Sequence, residues 1–320
     1  MISRLVDDLA LSEDAAGWAV ETWGLALGII DEAKLSPEWP HSIILKKQSD
    51  LILTLAPGVI LELVRVPAGK FIMGSDKNKD KMADYNETPQ HKVYLEEYLI
   101  GKYLVTVAQF AIFVKVRDYK TAAEKSGSGI TLTGSTWDIV KGADWQHPRG
   151  PGSDVSRKAD HPVTLVSRFD AVAFCEWASQ VSGREVRLPS EAEWEKAARG
   201  TDGRNWPWGN QAPDRDTGNF TMNVKDTTPV GKYSPKGDSP YGCADMTGNV
   251  WEWTSSLWKG YPYDTQDGRE DLHSTNACVL RGGAFNNSQS GVRCASRLCN
   301  DFPTVNCAGN SGFRVWVSPI

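Results

Sequence analysis

The spacing of apolar positions changes along the chain. Over residues 1 to about 31 it has a helical period: Ser12 is placed to cap a segment in which Ala15, Ala16, Trp18, Ala19, Val20, Trp23, Leu25 and Ala26 form a broad apolar face ending near Gly28. So short a helical piece buries too little to stand alone, and either packs on a larger domain or contacts a partner. Pro37 to Pro40 interrupt the pattern, and strand-like runs follow at residues 43–45, 51–53 and 59–66 before the turn Pro67-Ala68-Gly69. The change predicts a short helical segment and linker over residues 1–45 and a main domain over 46–320.

Within that domain three helix starts are marked by a hydroxyl residue followed three positions later by a side chain able to reach back to it. They are Thr106 with Gln109, Ser167 with Asp170, and Ser190 with Glu193. Apolar stripes follow each: Phe110 and Phe113; Val172, Phe174, Cys175 and Trp177; Ala192, Trp194 and Ala197 before Gly200. From Thr201 onward helical periodicity disappears, and Gly, Asn, Asp and Pro punctuate short strands. The pattern predicts an α+β domain with few helices, short sheets and much irregular chain.

Composition narrows the functional classes. A net charge of -5 with mixed signs gives no basic footprint for nucleic acid. No apolar run approaches the length that spans a membrane, and the start shows no secretory pattern, so a cytoplasmic protein without membrane insertion is expected. The six cysteines form no C-x-x-C pair and read as reduced thiols. The five histidines never fall at the i, i+4 spacing of a helical metal site and read as surface or hydrogen-bonding residues. Thirteen tryptophans, several in polar runs such as Trp206-Pro207-Trp208-Gly209 and Trp251-Glu252-Trp253, suggest loops held by aromatics.

A series of landmarks then falls in a recognisable order: Val66-Pro67-Ala68-Gly69 through Gly74-Ser75, His161-Pro162-Val163, Arg187-Leu188-Pro189-Ser190-Glu191-Ala192-Glu193-Trp194-Glu195, Gly248-Asn249-Val250-Trp251-Glu252-Trp253, Arg281-Gly282-Gly283 and Gly312-Phe313-Arg314-Val315. Over about residues 60 to 317 the chain resembles the formylglycine-generating enzyme superfamily, and the resemblance implies a C-type-lectin-type fold. The family's oxidases bind copper through two cysteines, one just after an Arg-Gly-Gly-Ser-Tyr segment and one five residues on. Here Asn286 or Asn287 stands at the first position. Cys294 and Cys299 have the right separation but sit out of register, because Arg293-Cys294-Ala295-Ser296-Arg297 matches a later structural element. Soft thiolates are what copper(I) requires, so copper is not expected. The iron-dependent sulfoxide synthases that resemble this domain carry their metal histidines in a separate helical domain, and no histidine here precedes His41, so iron is not expected and the chain is expected not to be an enzyme. The alternative is a formylglycine-generating oxidase or related metal-dependent oxygenase using Cys294 or Cys299. The resemblance also implies a structural calcium site at the Asp245 and Glu252 carboxylates with the Gly248 and Val250 carbonyls, and a weaker one at Asn219 and the Phe220 carbonyl, with Asp226 nearby.

The stretch from Asn286 to Ser311 contains no Lys, Glu, Met or Trp. Mutagenesis of the adenines in asparagine codons produces such a bias, since it never yields those residues. The bracketing Leu280-Arg281-Gly282-Gly283-Ala284-Phe285 and Gly312-Phe313-Arg314-Val315 resemble the ends of variable regions in diversity-generating retroelement variable proteins. On that resemblance a variable region spans about 281–316. Its diversified, ligand-binding positions are Ser288, Ser290, Gly291, Ser296, Leu298, Asn300, Asp301, Phe302, Thr304, Val305, Asn306, Ala308, Gly309 and Asn310, with Cys299 and Cys307 as further candidates. Arg293, Ala295, Arg297 and Pro303 are expected to be scaffold. The implied function is a non-catalytic protein that binds a protein or other macromolecular ligand through this surface, by exchanging small and aromatic side chains on a fixed support.

Overall fold

The computed structural model describes residues 51–301 and 307–319. The helical segment expected over 1–31, the linker and the run at 43–45 lie outside the described residues, as do Phe302 to Asn306.

The strand-like runs at 51–53 and 59–66 become strands β1 (Leu51–Ala56) and β2 (Val59–Val66), which pair as a hairpin in register Leu53 to Leu61. With β5 (Tyr98–Gly101), β13 (Trp316–Val317) and β8 (Val186–Arg187) they build a five-stranded sheet in the order β1-β2-β5-β13-β8. A four-stranded sheet, β11-β10-β9-β12, is made by β9 (Trp251–Leu257), β10 (Cys278–Arg281), β11 (Arg297–Asn300) and β12 (Ser311–Gly312). Two hairpins stand apart: β3 (Gly69–Met73) with β4 (His91–Leu95), and β6 (Ser128–Thr133) with β7 (Thr136–Lys141).

Four α-helices occur among the described residues: α1 (Val107–Arg117), α2 (Ala122–Ser126), α3 (Arg168–Ser182) and α4 (Glu191–Arg199). All three anticipated capping boxes are made, and α2 has a fourth, Thr121 with Glu124, that the periodicity had not revealed. Each satisfies two of the N–H groups that a helix start leaves open. The i, i+3 pairs Phe110/Phe113 and Phe174/Trp177 join Phe313 in one aromatic cluster, with Phe174 and Phe313 5.4 Å apart edge to face. The Gly312-Phe313-Arg314-Val315 landmark therefore has a packing reason: Phe313, between β12 and β13, closes the core between α1 and α3.

Helix α4 departs from a simple amphipathic reading. Its apolar residues Ala192, Trp194 and Ala197 are buried, but so are Glu191, Glu193, Glu195, Lys196 and Arg199. Buried charges need partners: Glu193 pairs with Arg187, Glu195 with Arg199 and Arg281, Glu191 with Arg269 and Arg297, and Lys196 donates to the Pro67 and Gly69 carbonyls.

Candidate functional site

The segment after β10 is held from within by four arginines. Arg281, fully buried, donates to the carbonyls of Cys294, Ala295 and Ser296 at 3.1, 2.9 and 2.8 Å and pairs with Glu195. Burial alone would raise the Glu195 pKa, but Arg281 and Arg199 outweigh it and hold the carboxyl below its ordinary value. Arg293 donates through Nη1 to Asp80 at 2.8 Å and to Glu87 at 2.7 Å, and through Nη2 to Glu87 Oε1 at 2.6 Å and the Met82 carbonyl at 3.0 Å. Arg297 makes a two-point contact with Glu191 at 2.8 and 3.0 Å, donates to the Asn86 and Lys259 carbonyls, and lies 4.2 and 4.5 Å from the ring centroids of Tyr261 and Trp258. Arg314 closes the set with a two-point pair to Glu252 at 2.6 and 2.8 Å. Planar guanidinium forks suit such irregular loops, because each ties several acceptors at fixed angles.

Between these anchors the side chains turn outward. Ser288, Leu298 and Asp301 are exposed, Leu298 by 40%. Ser290, Gly291, Cys299, Ala308, Gly309 and Asn310 are half-buried. Backbone bonds fix the last three: Ala308 accepts from Leu165 N–H at 3.1 Å, Gly309 N–H donates to Ile130 at 2.8 Å, and Asn310 accepts from Trp251 N–H at 2.8 Å. Main-chain bonds thus hold the backbone at all three, and Asn310 adds a side-chain bond, its Nδ2 donating to Asn286 Oδ1 at 3.1 Å.

Two assigned positions are corrected. Ser296 and Asn300 are each only 7% exposed. Ser296 lies where Arg281 gathers three carbonyls, and Asn300 pairs with the buried Cys278 across β10 and β11. Cys307, a further candidate, is also buried, packed among Ala123, Ala143 and Leu165. Phe302, Thr304, Val305 and Asn306 lie outside the described residues.

The glycines divide the same way. A Cβ on Gly283 would meet the Gly291 carbonyl at 2.6 Å, and the residue sits at φ +73, so only glycine fits there. A Cβ on Gly312 would meet the Val163 carbonyl at 2.7 Å, whereas at Gly309 the nearest atom is Thr131 Oγ1 at 3.4 Å, an ordinary contact. At Gly291 it would meet the Asn287 side chain at 3.3 Å.

The remaining chemistry is placed as follows. Asn287 takes Ala284 N–H on its Oδ1 at 2.9 Å and gives its carbonyl to Thr221 N–H at 2.8 Å, which closes the turn after Phe285. Burial pushes the Cys294 thiol up to about 12, and partial burial with Asp301 alongside pushes Cys299 up to about 11. His91, His147 and His161 bond to Tyr263 N–H, Asp144 and Thr227 respectively.

The first calcium set does not fit as expected, because both Glu252 oxygens already face Arg314 and the charge is matched. Asp245 accepts Gly231 N–H at 2.6 Å, and burial pushes its pKa up to about 6. At the weaker set, Asp226 is consumed by Lys158 and Arg149, while the Phe220 carbonyl accepts from Asn223 N–H. Asn219 Oδ1 is buried without a partner and is the one atom there in want of a donor or cation.

Residues 56–319 match the sulfatase-modifying factor enzyme 1-like domain. The chain belongs to that family. It is 33% identical over 296 residues to the formylglycine-generating enzyme of Thermomonospora curvata, covering 81% of this chain and 94% of that one. Among solved structures, PvdO from Pseudomonas aeruginosa superposes with a TM-score of 0.67 at 21% identity, over 85% of this chain and all of that one. Treponema denticola variable protein 1 superposes with a TM-score of 0.59 at 22% identity, over 84% of this chain and 99% of that one. At these identities the two structures speak for the fold alone, and the α+β, C-type-lectin-type architecture is the one this chain has. The expectation that the chain is not an enzyme is corrected: this domain family is one of enzymes by the names of its relatives, several formylglycine-generating enzymes among them, although some relatives are named inactive.

The arginines were legible in the sequence motifs, whereas their pairing with Asp80, Glu87, Glu191 and Glu195 was not. The run Glu191-Ala192-Glu193-Trp194-Glu195 was a usable signal, since three acids in five residues of a helix cannot all face one side. No helix among the described residues is long and apolar enough to cross a membrane.

Proposed function

We propose that the face carrying Ser288, Ser290, Gly291, Leu298, Asp301, Ala308, Gly309 and Asn310 binds a protein or other macromolecular ligand, and that its residues are diversified. The observation that carries this reading is the division inside one segment: arginines point in to buried acids, and small or exposed residues point out from a backbone held by main-chain bonds. Side chains so placed are exchangeable at little cost to folding, which is what a recognition surface needs. The absence of Lys, Glu, Met and Trp between Asn286 and Ser311 supports diversification through asparagine codons. The shared fold of a protein named as a variable protein is consistent with it.

Two tests apply. Sequencing the flanking DNA should reveal a near-copy of the 3' coding segment with adenines at these positions, beside a reverse transcriptase; its absence removes the diversification. A display library randomised at the eight positions should yield binders to unrelated proteins while the members stay folded. A library that yields only unfolded or non-binding members contradicts the binding face.

A second reading is favoured by the 33% identity to a formylglycine-generating enzyme. In it, Cys299 is the thiol open to substrate, since Cys294 is fully buried. Oxygen-dependent conversion of a cysteine-containing peptide to an aldehyde, lost in Cys299→Ser, would establish it. Turnover that survives Cys299→Ser would exclude that thiol.

A further inference from the structure

Beside the outward face lies a cavity of about 40 Å³ whose lining includes Gly309, Phe285 and, from the β6–β7 hairpin, Trp137. Ligand pockets for whole small molecules run to roughly 300 Å³ or more, so this one has room for a single side-chain end group. Its lining combines two features. Lys158 Nζ lies 2.8 Å from both oxygens of Asp226, and Arg149 Nη2 lies 3.0 Å from the same carboxylate, so two cations share one anion and the wall is net positive. Trp145, only 4% exposed, lines the same cavity, and its indole N–H has no acceptor among the described residues. The indole nitrogen itself is inaccessible, so the Trp145 ring reports on the cavity while the cations are the groups that face a ligand.

We propose that this cavity receives an acidic side chain, Asp or Glu, of the protein ligand, and so forms a fixed anchor at the rim of the exchangeable face. The inference rests on the binding reading above and adds to it a ligand chemistry. An incoming carboxylate supplies the negative charge that Lys158 and Arg149 are short of, beside the Trp145 ring and within a lining that Trp137 and Phe285 complete. The anchor residues lie outside the stretch from Asn286 to Ser311, Gly309 excepted. They therefore stay constant while specificity changes, and electrostatic complementarity sets orientation and encounter rate.

The test uses the full chain labelled with ¹⁵N-tryptophan, with the Trp145 indole resonance assigned through Trp145→Phe. The probes are the blocked peptides acetyl-Gly-Glu-Gly-amide and acetyl-Gly-Gln-Gly-amide. The glutamate peptide should shift the Trp145 N–H in a saturable way, the glutamine peptide should not, and Arg149→Gln, a change at a largely exposed side chain, should weaken the response about tenfold. Equal responses to both peptides, no response to either, or an unchanged response in Arg149→Gln overturns the proposal. The two readings fail separately. Library-derived binders that leave the Trp145 resonance unmoved sink the anchor and spare the face. A glutamate-specific shift in a protein whose library yields no binders sinks the face and spares the anchor.

Discussion

The inner and outer sides of the C-terminal segment use opposite chemistry over the same few residues. On the inner side Arg293 and Arg297 are almost fully buried, and each guanidinium meets a carboxylate from a distant part of the chain, Glu87 and Glu191. On the outer side Ser288, Leu298 and Asp301 face solvent, and the hydrogen bonds recorded for their side chains, Ser288 to Ser290 and Cys299 to Asp301, are local. The difference teaches that order in this loop does not come from the residues that would meet a ligand. It comes from long-range ion pairs in which neither partner can be removed cheaply, because the other is left charged in a dry interior.

The largest expected break of this contrast is Arg293→Ala, which strands Glu87 and Asp80. A loss of about 3 to 5 kcal/mol in urea unfolding is expected, the range for removing one member of a buried pair. A loss below 1 kcal/mol, on the order of a surface change, would mean the arginine is not an anchor.

Next in size is a pH effect at Asp245. Its folded pKa, about 6, lies above its ordinary value of 3.8, so the folded state keeps the proton longer than the unfolded chain. The associated stability is fully present below pH 3.8 and is lost as pH rises through about 6, reaching about 3 kcal/mol. Asp245→Asn keeps an acceptor for Gly231 N–H and tolerates the left-handed backbone at φ 56, so it should be more stable than the parent at pH 7.5 and equal to it near pH 4. Calcium should not raise the melting temperature of chelated parent protein. A calcium-dependent rise that vanishes in Asp245→Asn would reinstate the ion site.

Arg297→Ala should cost less than Arg293→Ala, about 1 to 3 kcal/mol, because Glu191 retains Arg269 at 3.2 Å while two backbone carbonyls lose their donor. Equal losses for the two arginines would mean that Arg269 does not compensate, and the comparison would have to be redrawn around Glu191.

What could be read in the sequence, and what could not, follows the range of the interactions. Capping boxes at Thr106, Ser167 and Ser190 are local, three residues across, and each one is made. The two strands of the β1–β2 hairpin were legible as apolar runs, though their pairing was not read. Hairpin β6–β7 is local too and its signal was overlooked: Ile130, Leu132, Trp137 and Ile139 alternate with Thr131, Thr133 and Asp138 about a Gly134-Ser135 turn, and only its bridge to Ala308 spans the domain. Ser296 and Asn300 look like their outward neighbours in composition, and nothing local tells that Arg281 and β10 enclose them. The thiols gave a spacing but not an environment. Cys294 is buried in the turn before β11, whereas Cys299 lies on β11 itself and is partly exposed, and neither placement is local to the spacing.

The smallest expected effect is the most direct test of the central claim. Ser288→Tyr, Ser290→Asn, Leu298→Thr and Asp301→Ser are combined in one chain, and its urea unfolding is measured beside the parent. The account predicts one cooperative transition with an unchanged slope, each substitution costing no more than about 0.5 kcal/mol. A broadened transition, or a loss as large as that of Arg293→Ala, would show that these side chains hold the fold and are not a face free to change.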